Sequence, residues 1–149
     1  MRVLLAVDGS KFSEAATRAL ASQLRPEGTE ILVLEVVEPR TFSTPPQMAP
    51  GYRPEQDELL KEQLKQAHES VNRASQVLRS AGFNVNTRVA QGEIRTGILD
   101  VAAEWQADLI ALGSHGRRRL QRFLLGNVAE SIARNAHCSV LVVRITAKG

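Results

Sequence analysis

Arg2-Val3-Leu4-Leu5-Ala6-Val7-Asp8-Gly9-Ser10, residues 2–10, is the stretch that decides the fold. Val3 to Val7 leave no polar face, so a strand here is covered on both sides and belongs in the middle of a sheet. The run extends over Arg2–Asp8 and ends at Asp8-Gly9-Ser10, a turn followed by a helix start with Ser10 or Ser13 as N-cap. The apolar run is too short for the core of a signal sequence and has no small-residue cleavage site after it, so it reads as a strand rather than a leader.

Outward from this strand the chain alternates. A helix runs to about Leu24, with Ala15, Ala19, Leu20 and Leu24 on one side, and Pro26-Glu27-Gly28 closes it. Glu30–Val37 (EILVLEVV) is a second apolar strand. Pro39, Pro45, Pro46, Pro50 and Pro54 then make residues 39–54 a loop, either a mobile flap or a plain insert. Over Glu55–Ala81, the residues Leu60, Leu64, Ala67, Val71, Ala74, Leu78 and Ala81 recur at steps of four and three, the apolar stripe of a long helix stopped by Gly82. Asn84–Ala90 is a half-polar strand suited to an edge. Glu93–Gln106 is a helix with Ile94, Ile98, Val101, Ala102 and Trp105 facing inward. Asp108–Leu112 is a buried strand. A loop leads from Ser114 to a helix beginning near Asn127, and Ser139–Arg144 is the last strand.

Strands alternating with helices predict a parallel sheet, because parallel neighbours need crossovers. The expected fold class is α/β: a single domain over residues 1–145, an open five-stranded parallel sheet of order 3-2-1-4-5 with helices on both faces, and a frayed tail at 146–149. The most apolar strands, the first and fourth, take the centre.

Composition narrows the function classes. The 149 residues are 43% hydrophobic but only 4% aromatic, so the core is built from aliphatic side chains. A net charge of +3, from 19 basic and 16 acidic residues, does not by itself point to nucleic acid. The basic run Arg117-Arg118-Arg119 with Arg122 lacks the interleaved aromatics of a nucleic-acid surface. One cysteine, Cys138, excludes an internal disulfide and fits a reducing compartment. No apolar stretch is long enough to span a bilayer. A cytoplasmic protein is expected.

In an open α/β sheet, ligands bind beyond the carboxyl ends of the strands where the winding reverses. Here that point lies between the first and fourth strands, where Asp8-Gly9-Ser10 meets the loop from Gly113-Ser114-His115-Gly116 to Gly126-Asn127. Glycine lets an anion approach main-chain N–H groups, and a helix N-terminus offers such groups at the positive end of its dipole. Asn127 can cap that helix or donate to a phosphate, and Arg117 and its neighbours can add charge-assisted contacts. Plainer roles stand beside these. Asp8 can simply cap its turn, the glycines can serve a tight connection, and the arginines can be a solvated loop. His115 then supplies backbone rather than catalysis. Neither G-x-G-x-x-G nor G-x-x-x-x-G-K-[ST] occurs, which disfavours a hydride-transfer enzyme and a P-loop nucleotidase.

Gly113-x2-Gly116-x9-Gly126-Asn127 is similar to the G-x2-G-x9-G-[ST] signature of ATP-binding universal stress proteins. The resemblance covers nearly the whole chain: Val7-Asp8-Gly9-Ser10, the run Ala107–Gly116, and the stretches Gly126–Ala129 and His137–Val143. It implies a Rossmann-like domain of the adenine nucleotide alpha hydrolase kind. It implies ATP, or AMP, ADP or cyclic AMP, with Mg2+ accompanying the phosphates. Asp8 would lie near the adenine or ribose, and Val7 and Val36 would line the adenine slot. Gly113 and Gly116 would approach the ribose and phosphates, and Gly126, Asn127 and Val128 would cradle phosphates. Ser10, Ser114, His115 and Arg117 complete the candidate set. It also implies a homodimer paired through Val140–Val143. The departures are Asn127 in place of Ser or Thr, and Cys138-Ser139 in place of Cys-Pro. The expected role is a nucleotide-binding stress regulator acting on a client protein. A slow ATPase or phosphotransferase and a nucleotide-free interaction module are the alternatives.

Overall fold

The computed structural model describes residues 1–40, 54–117 and 125–145. The elements are β1 (Arg2–Ala6), α1 (Lys11–Gln23), β2 (Glu30–Val37), α2 (Pro54–Ser80), β3 (Asn84–Gln91), α3 (Ile94–Trp105), β4 (Leu109–Gly113), α4 (Asn127–Asn135) and β5 (Ser139–Val143). The sheet order is β3-β2-β1-β4-β5, and every neighbouring pair is parallel. The order expected from apolarity is therefore the order observed. Leu4 sits between Leu32 of β2 and Ile110 of β4, and all three are buried. The proline-rich loop falls, apart from its ends, outside the described residues, as does the tail from 146. No described helix is long and apolar enough to cross a membrane.

The alternation of side chains along the strands divides the core in two. One cluster joins Val3, Leu5, Val7, Ile31 and Val33 to Ala16 and Leu20 of α1 and Val71, Ala74 and Leu78 of α2. The other joins Leu4, Ala6, Leu32, Leu34 and Val36 to Ile98, Val101 and Ala102 of α3 and Ala129 and Ile132 of α4. The second cluster permits an unusually close helix. A Cβ on Gly97 of α3 would come within 2.8 Å of Val36 Cγ1, so glycine lets α3 lie down on β2.

One helix face differs from the expected one. Of the expected stripe Leu20 is buried and Leu24 packs against the same core, while Ala15 and Ala19 are only half-buried; α1 buries Phe12, Ser13, Ala16, Thr17 and Leu20. Two of these residues carry hydroxyls, which is why apolar periodicity alone mis-set the face. The hydroxyls are silenced locally: Thr17 Oγ1 donates to the Ser13 carbonyl (2.9 Å) and Ser13 Oγ to that of Ser10 (3.1 Å).

Strand and helix ends shift by one or two residues. β1 stops at Ala6, although the Val7 amide still donates to the Leu34 carbonyl at 2.9 Å. Glu93 caps α3 instead of opening it, accepting from the Arg95 and Thr96 amides. Burial works against the charged Glu93 carboxyl, but those amides and the Arg95 guanidinium outweigh it and lower its pKa. Gly82, at φ 96°, terminates α2, donating to the Arg79 carbonyl.

Candidate functional site

The β1–α1 turn and the loop after β4 meet at the carboxyl end of the sheet. Ser10 is the N-cap of α1, its side chain accepting from the Ser13 amide at 3.3 Å. Asp8 folds over the same turn, with Oδ1 accepting from the Ser10 amide at 2.9 Å. Its other oxygen, Oδ2, lies 3.1 Å from where a Cβ on Gly116 would stand. The plain capping role of Asp8 is thus real. It uses one carboxylate oxygen and leaves the other facing the β4 loop.

Three loop glycines were expected to admit a ligand, and each turns out to have a different neighbour. A Cβ on Gly113 would stand 2.7 Å from the Phe12 backbone and side chain. Gly113 is therefore a packing glycine that lets α1 close on β4. A Cβ on Gly126 would meet the His115 Cα at 3.1 Å and the Ser114 carbonyl at 3.2 Å, and the Gly126 amide donates to that carbonyl at 2.7 Å. Gly126 closes the loop on itself. Only Gly116 opens toward the crevice, beside Asp8. Of these three, none needs a left-handed φ; the need is for space.

Ser114 is buried, its amide donating to the Val143 carbonyl of β5 at 2.9 Å and its Oγ lying 2.9 Å from His115 Nδ1. The His115 ring packs on Phe12, centroids 5.2 Å apart. This pairing fixes the loop against α1.

The α4 N-terminus is left open. Gly126 is its N-cap and provides no side-chain hydrogen bond; Asn127 is the first helical residue and exposed, so of its two expected roles the cap falls to Gly126. Among the described residues, the amides of Asn127, Val128 and Ala129 have no partner, the condition that makes a helix start an anion site. Val128 also packs against the α3/α4 core.

Val7 and Val36 do not share a face. The Val7 side chain belongs to the α1/α2 cluster and that of Val36 to the α3/α4 cluster. Their side chains therefore lie on opposite sides of the sheet. Arg117 does not lie over α4. Its Nε donates to the Asp8 carbonyl at 2.5 Å, across the crevice mouth. Arg118, Arg119 and Arg122 lie outside the described residues.

One residue at this end escaped sequence reading. Glu35, on β2, points to the α1/α2 side, and its Oε1 is buried with no hydrogen-bond partner among the described residues. Burial raises its carboxyl pKa above the ordinary value. The Ser70 hydroxyl and the charges of Arg117 and Arg73 oppose the rise, and Asp8 adds to it. The available signal was Glu35, an acid in the interior of the apolar run Ile31–Val37. Beside it, a groove of about 190 Å³ between α1 and α2 is lined by Val7, Gly9, Ser13, Thr17, Ser70 and Arg73, among others.

Comparison with known proteins gives the family. Residues 1–144 match the family model described as the universal stress protein family. A universal stress protein of Methanocaldococcus jannaschii is 32% identical over 143 residues, 96% of this chain and 81% of its own. The solved structure of universal stress protein UspA from Lactobacillus plantarum has a TM-score of 0.82 at 24% identity, covering 97% of both chains. A universal stress family protein of Arabidopsis thaliana, solved with AMP bound, has a TM-score of 0.70 at 16% identity, covering 99% of this chain and 93% of its own. The universal stress protein of Archaeoglobus fulgidus in complex with dAMP has a TM-score of 0.67 at 23% identity, covering 95% and 96%. With the sheet order, the glycine loop and the whole-length match in agreement, this chain belongs to the universal stress protein family.

Proposed function

We propose that this chain binds an adenine nucleotide at the crevice between β1 and β4 and acts as a cytoplasmic stress regulator whose state follows that ligand. The observation that carries the reading is the open α4 N-terminus. Three consecutive amides with no partner among the described residues lie at the positive end of a helix dipole, near Gly116 of the same loop, which the Asp8 carboxylate of the opposite turn approaches. The amides of Asn127 and Val128 would hold phosphate oxygens. Asp8 Oδ2 would accept from ribose or adenine, with the Val36 backbone beside the base. ATP is the proposed ligand, its Mg2+ entering with the phosphates. Support comes from the fold neighbours that hold AMP and dAMP.

A second copy of the chain is proposed at β5. It is an edge strand whose Val140–Val143 are only half-buried, with Ile145 beyond it 43% exposed. Sedimentation returning a monomer at every concentration would refute that part.

The nucleotide reading is tested by mass spectrometry of ligand released from the purified protein, then calorimetry with ATP, ADP, AMP and cyclic AMP. Gly116→Val places a side chain against Asp8 in the crevice and should weaken binding by at least about tenfold, some 1.4 kcal/mol. Circular dichroism confirms that the variant is folded. Wild-type affinity in a folded Gly116→Val protein would sink the assignment.

A further inference from the structure

Arg117 leaves the loop after β4, yet its side chain reaches across to the β1 turn. Nε donates to the Asp8 carbonyl, and the terminal Nη2 occupies the space beside Gly9, 2.8 Å from where a Cβ would stand. The Ser70 Oγ of α2 approaches the same spot at 3.7 Å. Gly9, at φ 78°, is therefore required twice, by its backbone and by this guanidinium. The arginine is exposed and its hydrogen-bond partner is a neutral carbonyl, so the tie is an exchangeable one.

Behind it lies Glu35. The groups facing this carboxyl are Ser70 and Arg73 from α2, Asp8 from the β1 turn and Arg117 from the β4 loop. On β3 its register partner is Val89, which carries no charge. Ser70 donates to this carboxyl and Arg117 is the first of its two counter-charges, while Oε1 has no hydrogen-bond partner among the described residues. The backbone of Arg117, meanwhile, is next to the anion site. The Gly116 amide nitrogen is 3.7 Å from the Cβ position of Gly126, the cap of α4. An arginine that follows Gly116 needs only to swing its side chain to face a phosphate at that helix.

Resting on the nucleotide reading above, we propose that ligand binding is a charge exchange. A phosphate at the α4 N-terminus draws Arg117 off the Asp8 carbonyl, and Glu35, deprived of its main counter-charge, takes up a proton from solvent. The exchange gains a charge-assisted guanidinium–phosphate pair against the loss of a contact to a neutral oxygen and of the attraction to Glu35, and protonation of Glu35 relieves the second loss. Removing a cation from beside a buried carboxylate disfavours its charged form. The balance is one phosphate group bound, one guanidinium relocated and up to one proton added to Glu35. Affinity for a phosphorylated ligand then falls as pH rises through the range where Glu35 titrates, at most about tenfold per unit. The protein would thereby report acidification and adenylate level through one site.

Calorimetry in two buffers of different ionisation heat tests this on the full chain, with ATP and with adenosine. Protons belonging to the phosphate itself are common to every variant and cancel in the difference. The wild type should take up more protons with ATP than Glu35→Gln does, by as much as about one per site. Arg117→Ala should lose the same increment, since Glu35 then has no Arg117 to lose. Adenosine, lacking phosphate, should bind with no difference between wild type and Glu35→Gln. Equal proton uptake by wild type and Glu35→Gln on binding ATP overturns the exchange while leaving nucleotide binding intact. Absence of any binding heat with both ligands, or an adenosine signal that depends on Glu35, refutes it as well, the former together with the nucleotide reading itself.

Discussion

The two faces of the sheet share one alternation of side chains but are built differently. Under α3 and α4 every buried helix residue is apolar: Ile98, Val101, Ala102, Ala129 and Ile132. Under α1 and α2 the buried set includes Ser13, Thr17, Ser70 and Ser75, and the strand residue Glu35 faces them. The dry face is packed so closely that a helix glycine, Gly97, is needed to admit Val36. The polar face keeps a groove and an unsatisfied carboxylate oxygen at the end where the crevice lies. One face supplies cohesion through area removed from water. The other gives up some of that cohesion to place hydroxyls and charges within the fold.

The largest effect expected from this contrast is on the dry side. Ile110 is fully buried against the α3/α4 cluster, and Ile110→Ala should lower unfolding free energy in urea by about 2–5 kcal/mol through lost transfer energy and a cavity. On the polar side Ser70→Ala should change it by less than about 1.5 kcal/mol, because its hydroxyl makes only a modest net hydrogen bond. Equal losses in the two variants would erase the distinction between the faces.

A smaller effect concerns the N-cap that positions the crevice. Ser10→Ala removes the acceptor for the Ser13 amide and should lower stability by about 1 kcal/mol in the same urea titration. The third is a pH slope and is the smallest. Glu35 has a folded pKa above its unfolded value, so between those two values the native state binds more protons than the unfolded chain. By linkage, stability is fully present below the unfolded value, near the ordinary 4.5, and declines as pH rises through the folded value. Melting temperatures of wild type and Glu35→Gln should therefore diverge upward from that point, with the glutamine variant losing less. Parallel profiles would mean that the polar face carries no ionisation cost.

The candidate site was legible to very different degrees. Asp8, Ser10 and the glycines of the β4 loop stand at element ends in the sequence, and the switch-point rule brings them together. The division of labour among those glycines was not legible. Gly113 answers to Phe12 and Gly116 to Asp8, each about 100 residues away in the chain. Nor was the α1 face, because Ser13 and Thr17 hide their hydroxyls on their own backbone and so count as apolar in the fold while reading as polar in the sequence.

What the sequence determined alone is the order of elements, the central place of β1 and β4, the family, and the two turns that must converge. These follow from local periodicity and from the need to cover both faces of a parallel sheet. Only the tertiary structure decided that Val7 and Val36 face opposite ways, that Arg117 rests on the Asp8 carbonyl, and that the half-buried Glu35 keeps one carboxylate oxygen out of solvent. Those facts depend on which atoms fill a few ångströms of space between distant segments, and periodicity along the chain does not encode that.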